Sequence, residues 1–203
     1  LGPTHNAISR ETGLLSQFGE NGPNIVWEVK KGEGYAAPAV IEDRLILFHR
    51  EDDTEVVECL HAETGQRFWR QSYPSKYRDR YGFGNGPRCQ PISEGEFAYT
   101  LGVEAIFSCW ELISGQLLWQ RDLKADFDLT LDFFGVGATP LLEGNLIIVN
   151  IGASDGPCVA AFDKRTGAMI WGSGDQWGPS YASPIPADTQ AVSYTHLTLP
   201  TRL

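Results

Sequence analysis

Short apolar runs alternate with polar turns along most of the chain, and the alternation is too short-wave for helices. Leu45-Ile46-Leu47-Phe48 follows Glu42-Asp43-Arg44, Phe97-Ala98-Tyr99 follows Glu94-Gly95-Glu96, and Leu146-Ile147-Ile148-Val149 follows Glu143-Gly144-Asn145. Before each of these lies a small or polar residue followed by proline, in Ala37-Pro38, Gln90-Pro91 and Thr139-Pro140, and Ser183-Pro184 repeats the step once more. After each lies an apolar run that enters a Thr-Gly or Ser-Gly turn and leaves it toward a tryptophan. The three copies of that last segment are Cys59 to Trp69, Cys109 to Trp119 and Ala161 to Trp171. One unit therefore predicts four short strands: the proline strand, the strand after the acidic turn, the strand into Thr-Gly, and the tryptophan strand.

In every copy a glycine precedes the tryptophan by four residues: Gly65 and Trp69, Gly115 and Trp119, Gly167 and Trp171. The tryptophans stand 50 and 52 positions apart, a period that marks a repeat architecture. Glycine accepts the positive φ that such a turn needs. Burying an indole hides about 150–250 Å², an upper bound of roughly 4–6 kcal/mol. One such side chain per unit suits a wedge between neighbouring sheets. Four antiparallel strands every 50 residues predict the blade of a β-propeller.

The motif Ala-x-Asp-x-x-Thr-Gly-x-x-x-Trp resembles the tryptophan-docking motif of the PQQ-repeat, quinoprotein-like propellers. Ala161, Asp163, Thr166, Gly167 and Trp171 match it fully; the first copy keeps Thr64, Gly65 and Trp69 with Cys59 and His61 substituted; the second keeps Gly115 and Trp119 with Cys109, Glu111 and Ser114. The resemblance covers roughly residues 20 to 190. It implies a docking role for these residues and a place in the periplasm or cell envelope. The expected fold is all-β, an incomplete β-propeller arc of four-stranded antiparallel blades, three blades plus part of a fourth. The expected blades run over 35–73, 89–121 and 137–172, with a partial one over 181–190. Asn24 to Lys30, with Trp27, reads as a strand of an earlier or split blade, and residues 1–23 as an N-terminal extension. Val192 to Leu203 resembles translated sequencing-adapter read-through, so 191–203 is read as a non-native tail, although Val192, Tyr194 and His196 alternate as a strand would. The chain starts at Leu1, not Met, so its true start is expected upstream.

Three longer connections join each tryptophan strand to the next proline strand and should gather on one face around the channel. The first carries Arg78, Arg80, Tyr81 and Arg88, the second Asp132, and the third Trp177. These six are the candidate ligand-face residues, suited to an anionic or planar ligand or to a protein partner. The competing reading is a solvated loop whose arginines pair with the acidic second connection. Asp126, Asp128 and Asp132 fail the EF-hand pattern, because Leu131 stands where that loop needs glycine.

Composition narrows the function further. Sixteen Lys and Arg against 26 Asp and Glu give a net charge of −10, which repels phosphate and argues against nucleic acid. No run of 18 apolar residues spans a membrane. The four cysteines form no Cys-x-x-Cys pair, and Cys59 and Cys109 sit in the small-residue slot that Ala161 fills, which reads as buried packing. Gly152-Ala153-Ser154-Asp155-Gly156 matches a nucleophile elbow, but the repeat register puts it between two strands. The expected function is a non-catalytic binding or scaffolding module with no cofactor and no catalytic or metal site. The resemblance leaves open a fragment of a PQQ-dependent alcohol or sugar dehydrogenase with calcium. The adjacent Cys-Cys pair of those enzymes is absent from the chain.

Overall fold

The computed structural model describes residues 11–20, 22–131, 134–188 and 193–196. The first sheet is β1 (Ala39–Ile41), β2 (Arg44–Glu51), β3 (Thr54–His61) and β4 (Arg67–Pro74). The second is β5 (Ile92–Glu94), β6 (Phe97–Leu101), β7 (Ile106–Glu111) and β8 (Leu117–Asp122). The third is β9 (Leu141–Glu143), β10 (Leu146–Asn150), β11 (Val159–Asp163) and β12 (Met169–Ser173). Each sheet keeps chain order and pairs antiparallel throughout. A fourth unit begins with β13 (Ile185–Asp188), which pairs with β14 (Ser193–His196). Those four residues are all that is described of the segment 191–203.

The first strands touch in series: β1 meets β5, β5 meets β9, and β9 meets β13. The sheets therefore fan out from a common axis with their fourth strands outermost. Backbone amides stitch the units together at this axis. Gln90 N donates to Thr139 Oγ1 at 3.0 Å, and Thr139 N donates to Ser183 Oγ at 2.9 Å. Thr139 and Ser183, each just before its proline, thus cap the equivalent position of the preceding unit.

Apolar side chains fill the gaps between sheets. Ile46, Phe48, Val57 and Trp69 pack with Ala98, Trp110 and Leu112 between the first and second. Tyr99, Phe107 and Cys109 pack with Ile147, Val149 and Phe162 between the second and third. The turn glycines 65, 115 and 167 have φ of +71°, +73° and +70°. Trp69 lies against Gly115 of the next sheet, and its Nε1 donates to Leu112 O at 2.9 Å. Trp119 lies against Gly167, with Nε1 on Lys164 O at 3.1 Å. Cys59 pairs across from Trp69, Cys109 from Trp119 and Ala161 from Trp171, and the register shifts directly after each. A small residue there leaves room beside the indole.

Two segments depart from the sequence-based expectation. Asn24 to Lys30 forms no strand, because no neighbouring strand among the described residues pairs with its backbone. Trp27 still lies against Gly65 and donates from Nε1 to Ala62 O at 3.0 Å, so the segment is tied by its ring. A short helix, α1 (Leu123–Asp126), opens the second connection. Asp122 caps it by accepting from Ala125 N at 3.0 Å, and Leu123 anchors it in the core.

Candidate functional site

The three long connections, 75–91, 123–140 and 174–184, lie at one end of the arc, as do the β2–β3 and β6–β7 turns. Ser75 N donates to Asp53 O and Leu123 N to Ala105 O, tying connections to turns. Three side chains build the first connection from within. Arg50, at the end of β2 and only 2% exposed, donates to Asp52 O, Ser75 Oγ, Ser75 O, Tyr77 O and Asn85 O at 2.7–3.2 Å. Its second terminal nitrogen also faces Asp53 Oδ1 at 3.4 Å. The Asp79 carboxylate accepts from the amides of Tyr81, Phe83 and Gly84 at 2.7–3.1 Å. Glu33 accepts from both Asn85 N and Nδ2, and Asn85 Oδ1 accepts from Asp79 N. A loop with this many internal bonds is held in shape before any partner arrives.

What the loop holds up is aromatic. Tyr35, Tyr81, Phe83 and Tyr181 are each 45–63% exposed. The Phe134 ring lies 5.7 Å from Phe83, 5.8 Å from Tyr181 and 6.4 Å from Tyr81, and Phe134 N donates to Tyr181 Oη. The Arg88 guanidinium sits beneath, 5.6–5.8 Å from the ring centres of Phe134, Tyr77 and Tyr35.

The candidate residues separate by environment. Arg88 is an internal post: its nitrogens donate to Gly84 O and Gly86 O at 3.1 Å and face Asp79 at 3.7 Å, and its side chain is 11% exposed. Arg78 is exposed and pairs with Asp53 at 2.6 Å; that guanidinium holds the Asp53 carboxyl below its usual range. Arg80 and Tyr81 are exposed. Trp177 stands apart, over the third sheet, where its backbone N and O both meet the Cys158 thiol. Asp132 lies outside the described residues. The partners of Arg78 and Arg88 are thus in the β2–β3 turn and their own loop, and Asp126 of the second connection pairs with Arg121.

Sequence reasoning missed Arg50, Asp79 and the buried Glu55. Their signal was slight: a charge in an apolar run, and one aspartate amid arginines and glycines. All four cysteines are free and buried. Burial pushes the Cys89 thiol well up and the Cys109 thiol up to about 12, so neither is a nucleophile. Among the described residues no group of three or more His, Cys, Asp or Glu is arranged to hold a metal.

Radial four-stranded sheets with an interleaved tryptophan per junction define a β-propeller, here a partial one. The chain belongs to the PQQ-repeat family: residues 52–201 match its model, described as outer membrane protein assembly factor BamB. No curated protein matches the chain in sequence. Among solved structures it is similar to a europium-containing methanol dehydrogenase at 14% identity and a TM-score of 0.53, covering 73% of this chain and 26% of that one. It is similar to the computationally designed Ika4 protein at 11% identity and 0.51, covering 86% and 90%. BamB from Moraxella catarrhalis aligns at 16% identity and 0.47, covering 72% and 38%. The chain thus spans about a quarter to two fifths of these natural propellers, and likenesses at such identity concern the fold.

Proposed function

We propose that this chain is part of a non-catalytic propeller of the bacterial envelope that binds a protein partner through its loop face. The carrying observation is the first connection, braced by Arg50, Asp79 and Glu33, which displays Tyr81 and Phe83 to solvent beside Phe134 and Tyr181. Exposed aromatic groups on a rigid support are the makings of an interaction hot spot, since their ordering cost is already met in the free protein. The docking residues Thr64, Gly65, Trp69, Gly115, Trp119, Asp163, Thr166, Gly167 and Trp171 serve the scaffold in this reading. Tyr81, Arg80 and Phe83 face the partner, and Arg88 supports them. The family description, an outer-membrane assembly factor, supports the envelope setting.

A photo-crosslinking amino acid at position 81 or 83 is the test, in cells carrying the natural gene. The expected result is a discrete protein adduct from both positions and none from Glu63, which is exposed on a Thr-Gly turn at the opposite end. Asp79→Ala should abolish the adducts by releasing three loop amides. Equal labelling from both ends, or adducts indifferent to Asp79→Ala, would refute the proposal.

A further inference from the structure

Glu55 lies in β3, with no exposed surface, at the junction of the first and second blades. Its Oε1 accepts from Val103 N at 3.0 Å, across the junction. Its Oε2 makes no hydrogen bond of good geometry, and neither does the buried hydroxyl of Tyr73. Both oxygens crowd the space above Gly102, where any side chain would collide with them. The charged and titratable groups around Glu55 come from four directions. Arg50 on β2 is the one cation, and its nitrogens are already committed to Asp52, Asp53, Ser75, Tyr77 and Asn85. Glu104 in the β6–β7 turn adds a like charge, and its Oε2 is occupied by Ser75 Oγ and Lys76 N. Tyr73 on β4 and Cys89 in the first connection are both neutral, with burial raising their pKa values.

The 102–105 turn that Glu55 grips is also where two functional connections hang. Glu104 holds the start of the first through Ser75 and Lys76. Val103 O accepts from Val136 N, and Ala105 O from Leu123 N, both in the second connection. A carboxylate here would be a buried charge with one amide and no free cation. A carboxylic acid keeps the acceptor for Val103 without the buried charge, and Tyr73, whose hydroxyl faces Oε2, is the one side-chain donor on hand to ease ionisation.

We propose that Glu55 is a proton-dependent latch between the first two blades: neutral, it holds the 102–105 turn, and on losing its proton it loosens the turn and both connections suspended from it. Burial raises the proton affinity of this carboxyl in the folded state. Its contribution to stability is then full below the ordinary glutamate range and is lost as pH rises through the folded value. The inference stands whether or not the loop face binds a partner.

The experiment compares the wild-type chain with Glu55→Gln, which keeps the acceptor for Val103 and cannot ionise, from about pH 5 to about pH 9. The wild-type unfolding midpoint should fall over this range relative to Glu55→Gln. Beyond the intrinsic base dependence, exchange of the Val103 and Val136 amides should quicken roughly tenfold more in wild type per pH unit across the transition. Tyr73→Phe removes the one side-chain hydroxyl facing Oε2, so it should move the fall to higher pH. A protonated-carboxyl band in the wild-type minus Glu55→Gln infrared difference spectrum at neutral pH reads the proton directly. Parallel midpoint curves for wild type and Glu55→Gln would overturn the latch. If Glu55→Gln does not fold, an unmoved transition in Tyr73→Phe would overturn it instead.

Discussion

Gly115→Ala is the sharpest test of how the blades hold one another. Gly115 has φ +73°, and a Cβ there would lie 2.5 Å from Cδ2 of Trp69 and 2.8 Å from Cγ and Cε3. Two costs follow. The left-handed backbone penalises alanine by about 1–2 kcal/mol. The ring must also move, and overpacking of this kind costs about 1–3 kcal/mol, with about 1 kcal/mol more if the indole loses Leu112 O. The expected total is roughly 3–5 kcal/mol. Gly95→Ala separates the two costs, because Gly95 has φ +57° and open space where its Cβ would be. It should cost only the backbone share, about 1–2 kcal/mol. Trp69→Ala removes a ring that is 8% exposed and should cost about 3–5 kcal/mol by itself. In that background Gly115→Ala should fall back to the Gly95→Ala value, leaving a coupling of about 2–3 kcal/mol. Urea unfolding followed by circular dichroism reads all four variants. Equal losses for Gly115→Ala and Gly95→Ala, or additivity with Trp69→Ala, would show that the indole does not dock on this glycine.

Arg50→Met should destabilise the fold by about 3–5 kcal/mol, since it strips the guanidinium from Asp53 and four loop carbonyls; limited trypsin digestion should then cut faster after Arg78 and Arg80, and an unchanged rate would count against Arg50 as the brace. Asp163 accepts from Thr166 N, Thr166 Oγ and Arg165 N, which lowers its pKa, so its contribution is present above the ordinary aspartate range and lost as pH falls through the folded value. The site is solvent-screened, so Asp163→Asn should cost less than about 1 kcal/mol at neutral pH and flatten only the acid limb of the thermal melting profile; an acid limb identical to wild type would refute that assignment.

How much of this was legible before any coordinates depends on whether an interaction repeats. The tryptophan, the turn glycine and the small residue opposite the ring recur with the period, so one physical reason explains each three times and chance is a poor rival. The substituted copies keep the turn chemistry in the structure: where the third copy has Asp163, Glu111 accepts from Ser114 Oγ and His61 Nδ1 accepts from Glu63 N. The short helix went unread, although Asp122 followed by Leu-Lys-Ala is an N-cap before helix formers, because four residues are too few to show a helical period. The loop face obeys no period. Arg78 and Arg88 are the same residue type in the same loop, yet one is a surface ion pair and the other a half-buried post under three rings. What separates them is where Tyr35 and Phe134 arrive, more than 40 residues away on either side, and composition carries no record of that. Arg50 is the extreme case. Charge argues for exposure, and only the carbonyls of a loop 25 to 35 residues later make burial tolerable. A repeat scaffold is therefore legible because it solves one packing problem many times. The surface it presents solves a different problem once, with contacts that exist only after the scaffold has folded.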